Sequence, residues 1–179
     1  MMALIDIDEE YQRRKNLTLD INEHLETLRE LASRVNHVTE FGVRDGNSTV
    51  ALAAAKPFSL VSYDINPMPV DLEAAIKKHL SRFAFQFIQA NVLEVEIAPT
   101  DFLFIDSHHT YGQLTKELKL HAGRVSKIIA LHDTETFGRT GEDGSTPGLW
   151  HAVEEFMAEG VFTRMDHYSN NNGLTVLWR

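Results

Sequence analysis

Short apolar runs alternate with stretches whose apolar residues recur at helical spacing, and this alternation organises the chain from residue 37 onward. It predicts strands near 37–41, 59–63, 84–88, 101–105 and 127–131, with helices over 48–55, 71–81 and 112–122 between them. Phe102-Leu103-Phe104-Ile105 and Ile128-Ile129-Ala130-Leu131 are unbroken apolar runs, as expected of central strands whose two faces are both covered by helices. The repeated strand-helix order predicts an α/β fold with a mostly parallel sheet. Ahead of it, Ile21, Leu25, Leu28, Ala32 and Val35 share one helical face, and Asp20 with Glu23 reads as its cap. Residues 1–19 carry no strong period and read as an arm or lid. Near the other end, Thr146-Pro147 reads as the cap and first position of a helix that buries Trp150, Val153, Phe156 and Met157. Val161-Phe162-Thr163 and Leu174 to Trp178, flanking the turn-rich segment from Ser169 to Gly173, predict a terminal antiparallel hairpin.

Composition narrows the classes. A chain of 179 residues, 43% hydrophobic and 24% charged, fits one globular domain, with residues 1–35 as an N-terminal arm and helix and 36–179 as the functional unit. The formal charge of −9 disfavours a surface built for nucleic acid or an anionic membrane. With no cysteine there are neither disulfides nor thiolate metal sites, and no apolar run is long enough to span a bilayer. The expectation is a cytoplasmic protein.

The candidate chemistry begins at Glu40-Phe41-Gly42-Val43-Arg44-Asp45-Gly46-Asn47-Ser48, a glycine turn between the first strand and an alanine-rich helix. Gly42 and Gly46 suit positive φ or close approach of a ligand to the backbone, and Asn47 or Ser48 can cap the helix. The G-x-x-x-G spacing is not the dinucleotide fingerprint. The carboxylates of Glu40 and Asp45 would repel a pyrophosphate and attract a sulfonium and an ammonium, both of which S-adenosylmethionine carries. Taken alone, the pattern also fits an ordinary αβ turn.

In an open parallel sheet the ligand crevice lies beyond the carboxyl ends of the strands. Asp64, at the end of the second strand, is placed to accept hydrogen bonds from ribose hydroxyls, and Asn91, after the third, can meet an adenine edge or simply hold a turn. The fourth and fifth strands end in Asp106-Ser107-His108-His109 and His132-Asp133. Two carboxylates and an imidazole from Asp106, His132 and Asp133 suit a divalent cation such as Mg²⁺ or Mn²⁺. His109 is the candidate general base, because imidazole titrates near neutrality. The remaining histidines are read as structural or surface residues. The irregular stretch from Thr134 to Pro147 reads as a binding loop or lid.

These residues resemble the class I S-adenosylmethionine-dependent methyltransferases over roughly residues 36–179, with Glu40-x-Gly42-x-x-x-Gly46 as the first cofactor motif and Asp64 as the ribose-binding acid. Asp106-x-x-His109-x-Tyr111 and His132-Asp133 are similar to the cephalosporin-hydroxylase-like and macrocin-type sugar O-methyltransferases. The resemblance implies a Rossmann-like, doubly wound, seven-stranded sheet ending in the hairpin. It also implies cofactor contacts from Glu40, Gly42, Gly46, Ser48, Asp64, Asn91 and Asp106, metal binding by Asp106 and Asp133, and His109 as base. His132 stands where many metal-dependent relatives carry an acidic residue. The implied activity is O-methylation of a small hydroxylated molecule. The acceptor pocket would come from the arm, from the 134–147 loop, or from a second copy of the chain in a homo-oligomer. The other readings are a non-catalytic protein that binds or assembles around S-adenosylmethionine, and a nucleotide-dependent oxidoreductase.

Overall fold

The apolar runs form strands β1 (His37–Phe41), β2 (Ser59–Asp64), β3 (Ala84–Gln89), β4 (Thr100–Ile105) and β5 (Val125–His132), joined by β6 (Arg164–Tyr168) and β7 (Leu174–Trp178) in one sheet. The computed structural model describes residues 5–80 and 84–179. Residues 1–4 of the expected arm and position 81 of the expected helix lie outside these. The strand order is β3-β2-β1-β4-β5-β7-β6. The first five strands are mutually parallel, and β7 runs antiparallel to both β5 and β6. This is the mostly parallel seven-stranded sheet with a terminal hairpin that the sequence predicts.

The helices are α1 (Ile7–Lys15), α2 (Leu25–Ser33), α3 (Asn47–Ala54), α4 (Val70–His79), α5 (Tyr111–His121) and α6 (Leu149–Ala158). Side chains alternate across a strand, so β4 feeds two cores. Phe102 and Phe104 join the layer beneath α1 to α4, whereas Leu103 and Ile105 join the layer beneath α5 and α6. Continuous apolar character is what burial on both faces requires.

Four local expectations are corrected. The arm contains α1, which buries Ile7 and Tyr11 in the core and is capped by Asp6, whose carboxylate accepts the Asp8 and Glu9 amides. Ile21, Leu25, Leu28, Ala32 and Val35 are buried as expected, but Asp20 caps nothing; a 3₁₀ turn at Asn22–His24 leads into α2, and Asp20 pairs with Arg44. The cap of α6 is Gly148, not Thr146. The first hairpin strand starts three residues later than expected, at Arg164. Phe162 is instead buried against Phe156 and accounts for the apolar signal at 161–163.

Candidate active site

The sheet order turns back on itself between β1 and β4, and there the chain leaves β1 through the glycine loop. The Gly42 amide donates to the Tyr63 carbonyl (2.9 Å) and the Asp106 amide donates to the Phe41 carbonyl (2.8 Å), so the three strand ends are laced together. Gly42 has φ +86°, and a Cβ there would lie 1.9 Å from the Asp106 carbonyl oxygen. No other residue fits this crossing without moving the backbone. Asp64 secures the loop: one carboxylate oxygen accepts the Val43 and Arg44 amides (2.8 and 2.9 Å), and the other accepts the Asn66 amide (2.8 Å). From α1, Arg14 donates to the Asp45 carbonyl and to the Asn47 side chain (2.8 and 2.7 Å). The supposed arm is therefore a brace for the loop.

Glu40 and Ser48 do not face the crevice. Glu40 is fully buried, with one carboxylate oxygen accepting from Ser48 and the other from Ser62, each at 2.6 Å. The pleat of β1 turns this side chain away from the turn beside which it sits in sequence. Burial pushes the Glu40 carboxyl up to about 7, against the pull of the Ser48, Ser62 and Thr49 hydroxyls. Neither Ser48 nor Asn47 caps α3, whose first residue follows Gly46 in a left-handed conformation (φ 75°). Gly46 is buried against Leu72, where its missing Cβ makes room for the Leu72 side chain.

A cavity of about 440 Å³ opens over the strand ends, with Gly42, Asp64, Asn91 and Asp106 among its lining residues, together with Arg44 and Glu142. Its size suits a nucleoside-sized ligand, and three carboxylates line it, those of Asp64, Asp106 and Glu142. Asn91 borders it, yet the Asn91 amide is occupied by its own turn: the oxygen accepts the Leu93 amide and the nitrogen donates to Glu94. A depression of similar volume, 450 Å³, lies between α5 and α6 and includes none of the candidate site residues.

Beside the 440 Å³ cavity, which Asp106 lines, the ends of β4 and β5 bring four side chains together. His109 Nε2 lies 3.1 Å from Asp106 Oδ1 and 3.2 Å from Asp133 Oδ2, and His132 Nδ1 lies 3.3 and 3.6 Å from the same two oxygens. Among the described residues, Asp106, His109 and Asp133 form a group whose ligand atoms are close enough together to share an ion. The expected trio of Asp106, His132 and Asp133 is thus also brought together, with His109 as a fourth member. His132 Nδ1 is buried without a hydrogen-bond partner, being near the two carboxylates but not aligned with either. Burial alone would lower the pKa of each histidine and raise that of Asp106. Their mutual attraction outweighs it: His132 is lifted to about 10, His109 is raised, and Asp106 is held well below the usual carboxylate range.

Glu142, in the 134–147 loop, was not legible as a site residue. It accepts the His109 amide (3.1 Å) and meets His109 Nδ1 at 2.6 Å and His108 Nδ1 at 2.7 Å, while its own amide donates to the His109 carbonyl (3.0 Å). The loop is thereby drawn over the turn after β4. The only signal in the sequence is an acidic residue in a glycine-rich loop, which names no partner.

Residues 39–134, more than half of the chain and running from within β1 to just past β5, match the model of a family described as a methyltransferase domain. The chain belongs to this methyltransferase family. No curated protein sequence matches the chain. Among solved structures, the N-methyltransferase NodS from Bradyrhizobium japonicum WM9, in complex with S-adenosyl-L-homocysteine, is 12% identical with a TM-score of 0.65, over 98% of each chain. An O-methyltransferase from Bacillus cereus, also with S-adenosyl-L-homocysteine, is 14% identical with a TM-score of 0.57, over 97% of this chain and 89% of that one. The methyltransferase PaMTH1 of Podospora anserina is 17% identical with a TM-score of 0.56, over 97% and 87%. At these identities the likeness is one of fold. In this methyltransferase the glycine loop, Asp64 and the Asp106 cluster occupy the crevice at the strand switch, where α/β sheets bind ligands.

Proposed function

We propose that the chain transfers the methyl group of S-adenosylmethionine to a hydroxyl of a small molecule. Family membership supports the transferase class, and relatives in fold are solved with the demethylated cofactor. The donor's nucleoside would fill the cavity between the glycine loop and Asn91, its ribose hydroxyls donating to the lone pairs of Asp64 that the loop amides leave open.

The observation that carries the choice of a hydroxyl is the placement of His109 Nε2 between Asp133 and Asp106, the latter lining that cavity. A lone pair on the acceptor oxygen would attack the methyl carbon, the carbon–sulfur bond would break with its electrons passing to sulfur, and the hydroxyl proton would pass to His109. The two carboxylates strengthen the imidazole as a base and stabilise the imidazolium that forms. A neutral amine attacks through its own lone pair and does not need such a group to begin. Positioning of donor and acceptor supplies the rest.

The cluster also fits a divalent cation: two carboxylates converge on a buried imidazole nitrogen that has no other partner. Asp106, Asp133 and His132 would hold it, and when bound it would lower the pKa of an acceptor hydroxyl. The test is methyl transfer from deuteriomethyl-labelled S-adenosylmethionine to a panel of phenols, sugars and amines, read by mass spectrometry. Labelled ether products support the proposal; products confined to the amines would overturn the hydroxyl assignment.

A further inference from the structure

With the Asn91 amide spent on its own turn, the cavity needs another group to read a base. Ser107 and Gln113 also line it, both half-buried, and both are tied to a carboxylate that takes no part in the Asp106 cluster. The Ser107 hydroxyl donates to Glu117 Oε1 (2.5 Å), and the Gln113 side-chain nitrogen donates to the same oxygen (2.8 Å). Glu117 is 1% exposed and lies one turn beyond Gln113 on α5. The Gln113 backbone is fixed as well, since its amide donates to the Thr110 hydroxyl that caps the helix (3.2 Å). Burial pushes the Glu117 carboxyl up to about 7, against the pull of Ser107 and Gln113. Glu117 Oε2 is buried and meets no partner, so when the group holds a proton Oε2 carries it, and Oε1 accepts in either state.

This arrangement sets the polarity of the two neighbours. Serine and glutamine can each donate or accept. With its hydrogen given to Glu117, Ser107 Oγ keeps only lone pairs; with its nitrogen end turned to Glu117, Gln113 leaves its oxygen end for the cavity. We infer that Ser107 and Gln113 select the amino group of the methyl donor's adenine, and that buried Glu117 is the positioning residue that makes acceptors of them. The inference rests on the reading that the nucleoside of S-adenosylmethionine fills this cavity. With the ribose at Asp64, the base lies toward Ala90, Asn91 and Val92, and Ser107 and Gln113 complete that part of the lining. The adenine amino group has two hydrogens, one for each oxygen. A base with a carbonyl in its place would set lone pair against lone pair and leave the two acceptors without partners, which a desolvated site rejects.

The test is calorimetric titration of the full chain with S-adenosylhomocysteine and with S-inosylhomocysteine, which carries a carbonyl in place of the amino group. Wild type should bind the adenosine compound at least about 10-fold more tightly. Gln113→Leu removes one acceptor, so it should weaken S-adenosylhomocysteine by about 5–100-fold and leave S-inosylhomocysteine unchanged or tighter. Glu117→Gln keeps the shape of the side chain but offers Ser107 and Gln113 a hydrogen-bond donor as well as an acceptor. Both can then turn, and the preference should fall to about 3-fold or less, chiefly through tighter binding of the inosine compound. Equal binding of the two compounds by wild type, or the full preference retained in Gln113→Leu or Glu117→Gln, would overturn the inference while upholding the cavity as the nucleoside site. So would an equal loss of both ligands in either variant, the mark of a structural role alone. Because Glu117 is buried, the wild-type contrast and Gln113→Leu decide the matter even where Glu117→Gln fails to fold. No heat from S-adenosylhomocysteine in wild type would instead refute the methyl-donor reading beneath the inference.

Discussion

Replacing Glu40 by Gln removes a carboxyl that is fully buried at the end of β1 and leaves a side chain of the same size that never ionises. Burial, opposed by the Ser48, Ser62 and Thr49 hydroxyls, holds the Glu40 carboxyl at about 7, against an ordinary value of 4.5. The folded protein therefore keeps a proton that the unfolded chain gives up above pH 4.5. For an acid shifted upward, the stabilising contribution is complete below the unfolded value and is lost as pH rises to the folded one. At about 1.4 kcal/mol per pH unit, the loss between pH 4.5 and 8 reaches about 3 kcal/mol. Urea unfolding of wild type and Glu40→Gln at pH 5, 6, 7 and 8 isolates this effect, since the other titrating groups are common to both proteins. The wild type should lose stability relative to the variant by about 2–3 kcal/mol across that range. A difference that stays flat, or that moves in favour of the wild type as pH rises, refutes the account of Glu40 as a buried, proton-retaining support of the glycine loop.

Other perturbations separate the parts of the site. Gly42→Ala would drive a Cβ into the Asp106 carbonyl at a positive φ, so it should cost at least about 1–3 kcal/mol and weaken donor binding; an unchanged melting temperature with full binding would contradict the crossing geometry. Ile7→Ala in α1 should lower stability by about 2–5 kcal/mol, as for a core side chain, whereas a mobile arm would tolerate it within about 0.5 kcal/mol. Arg14→Ala removes the hydrogen bonds to Asp45 and Asn47 and should raise KM for the donor with little change in kcat; an unchanged KM would show that the brace does not reach the cofactor.

How much of this was legible follows from what a linear pattern encodes. The parallel strands were legible because burial on both faces makes Phe102 to Ile105 and Ile128 to Leu131 uninterrupted apolar runs. Helix α1 was not, since it shows the core only Ile7 and Tyr11, a single i, i+4 pair among charges. The hairpin was displaced because β6 is largely exposed, while the neighbouring Phe162 is buried without being part of it. Gly42, Asp64 and the cluster from Asp106 to Asp133 were singled out because ligands gather at the carboxyl ends of parallel strands, and the structure brings them together there. Adjacency to the glycine turn misled for Glu40 and Ser48, because direction in a strand is set by the pleat and not by the neighbour in sequence. Asn91 followed the commoner habit of its residue type and serves its own turn. Glu142 lies 33 residues from His109, and no local pattern announces that pairing.

Calorimetric titration of the full chain decides whether the crevice at the glycine loop holds S-adenosylmethionine. Wild-type protein should bind S-adenosylmethionine and S-adenosylhomocysteine at one site each and ignore NAD, and Asp64→Ala should abolish the heat while the fold persists by circular dichroism. Binding of NAD with no response to either methyl-donor compound would contradict the claim.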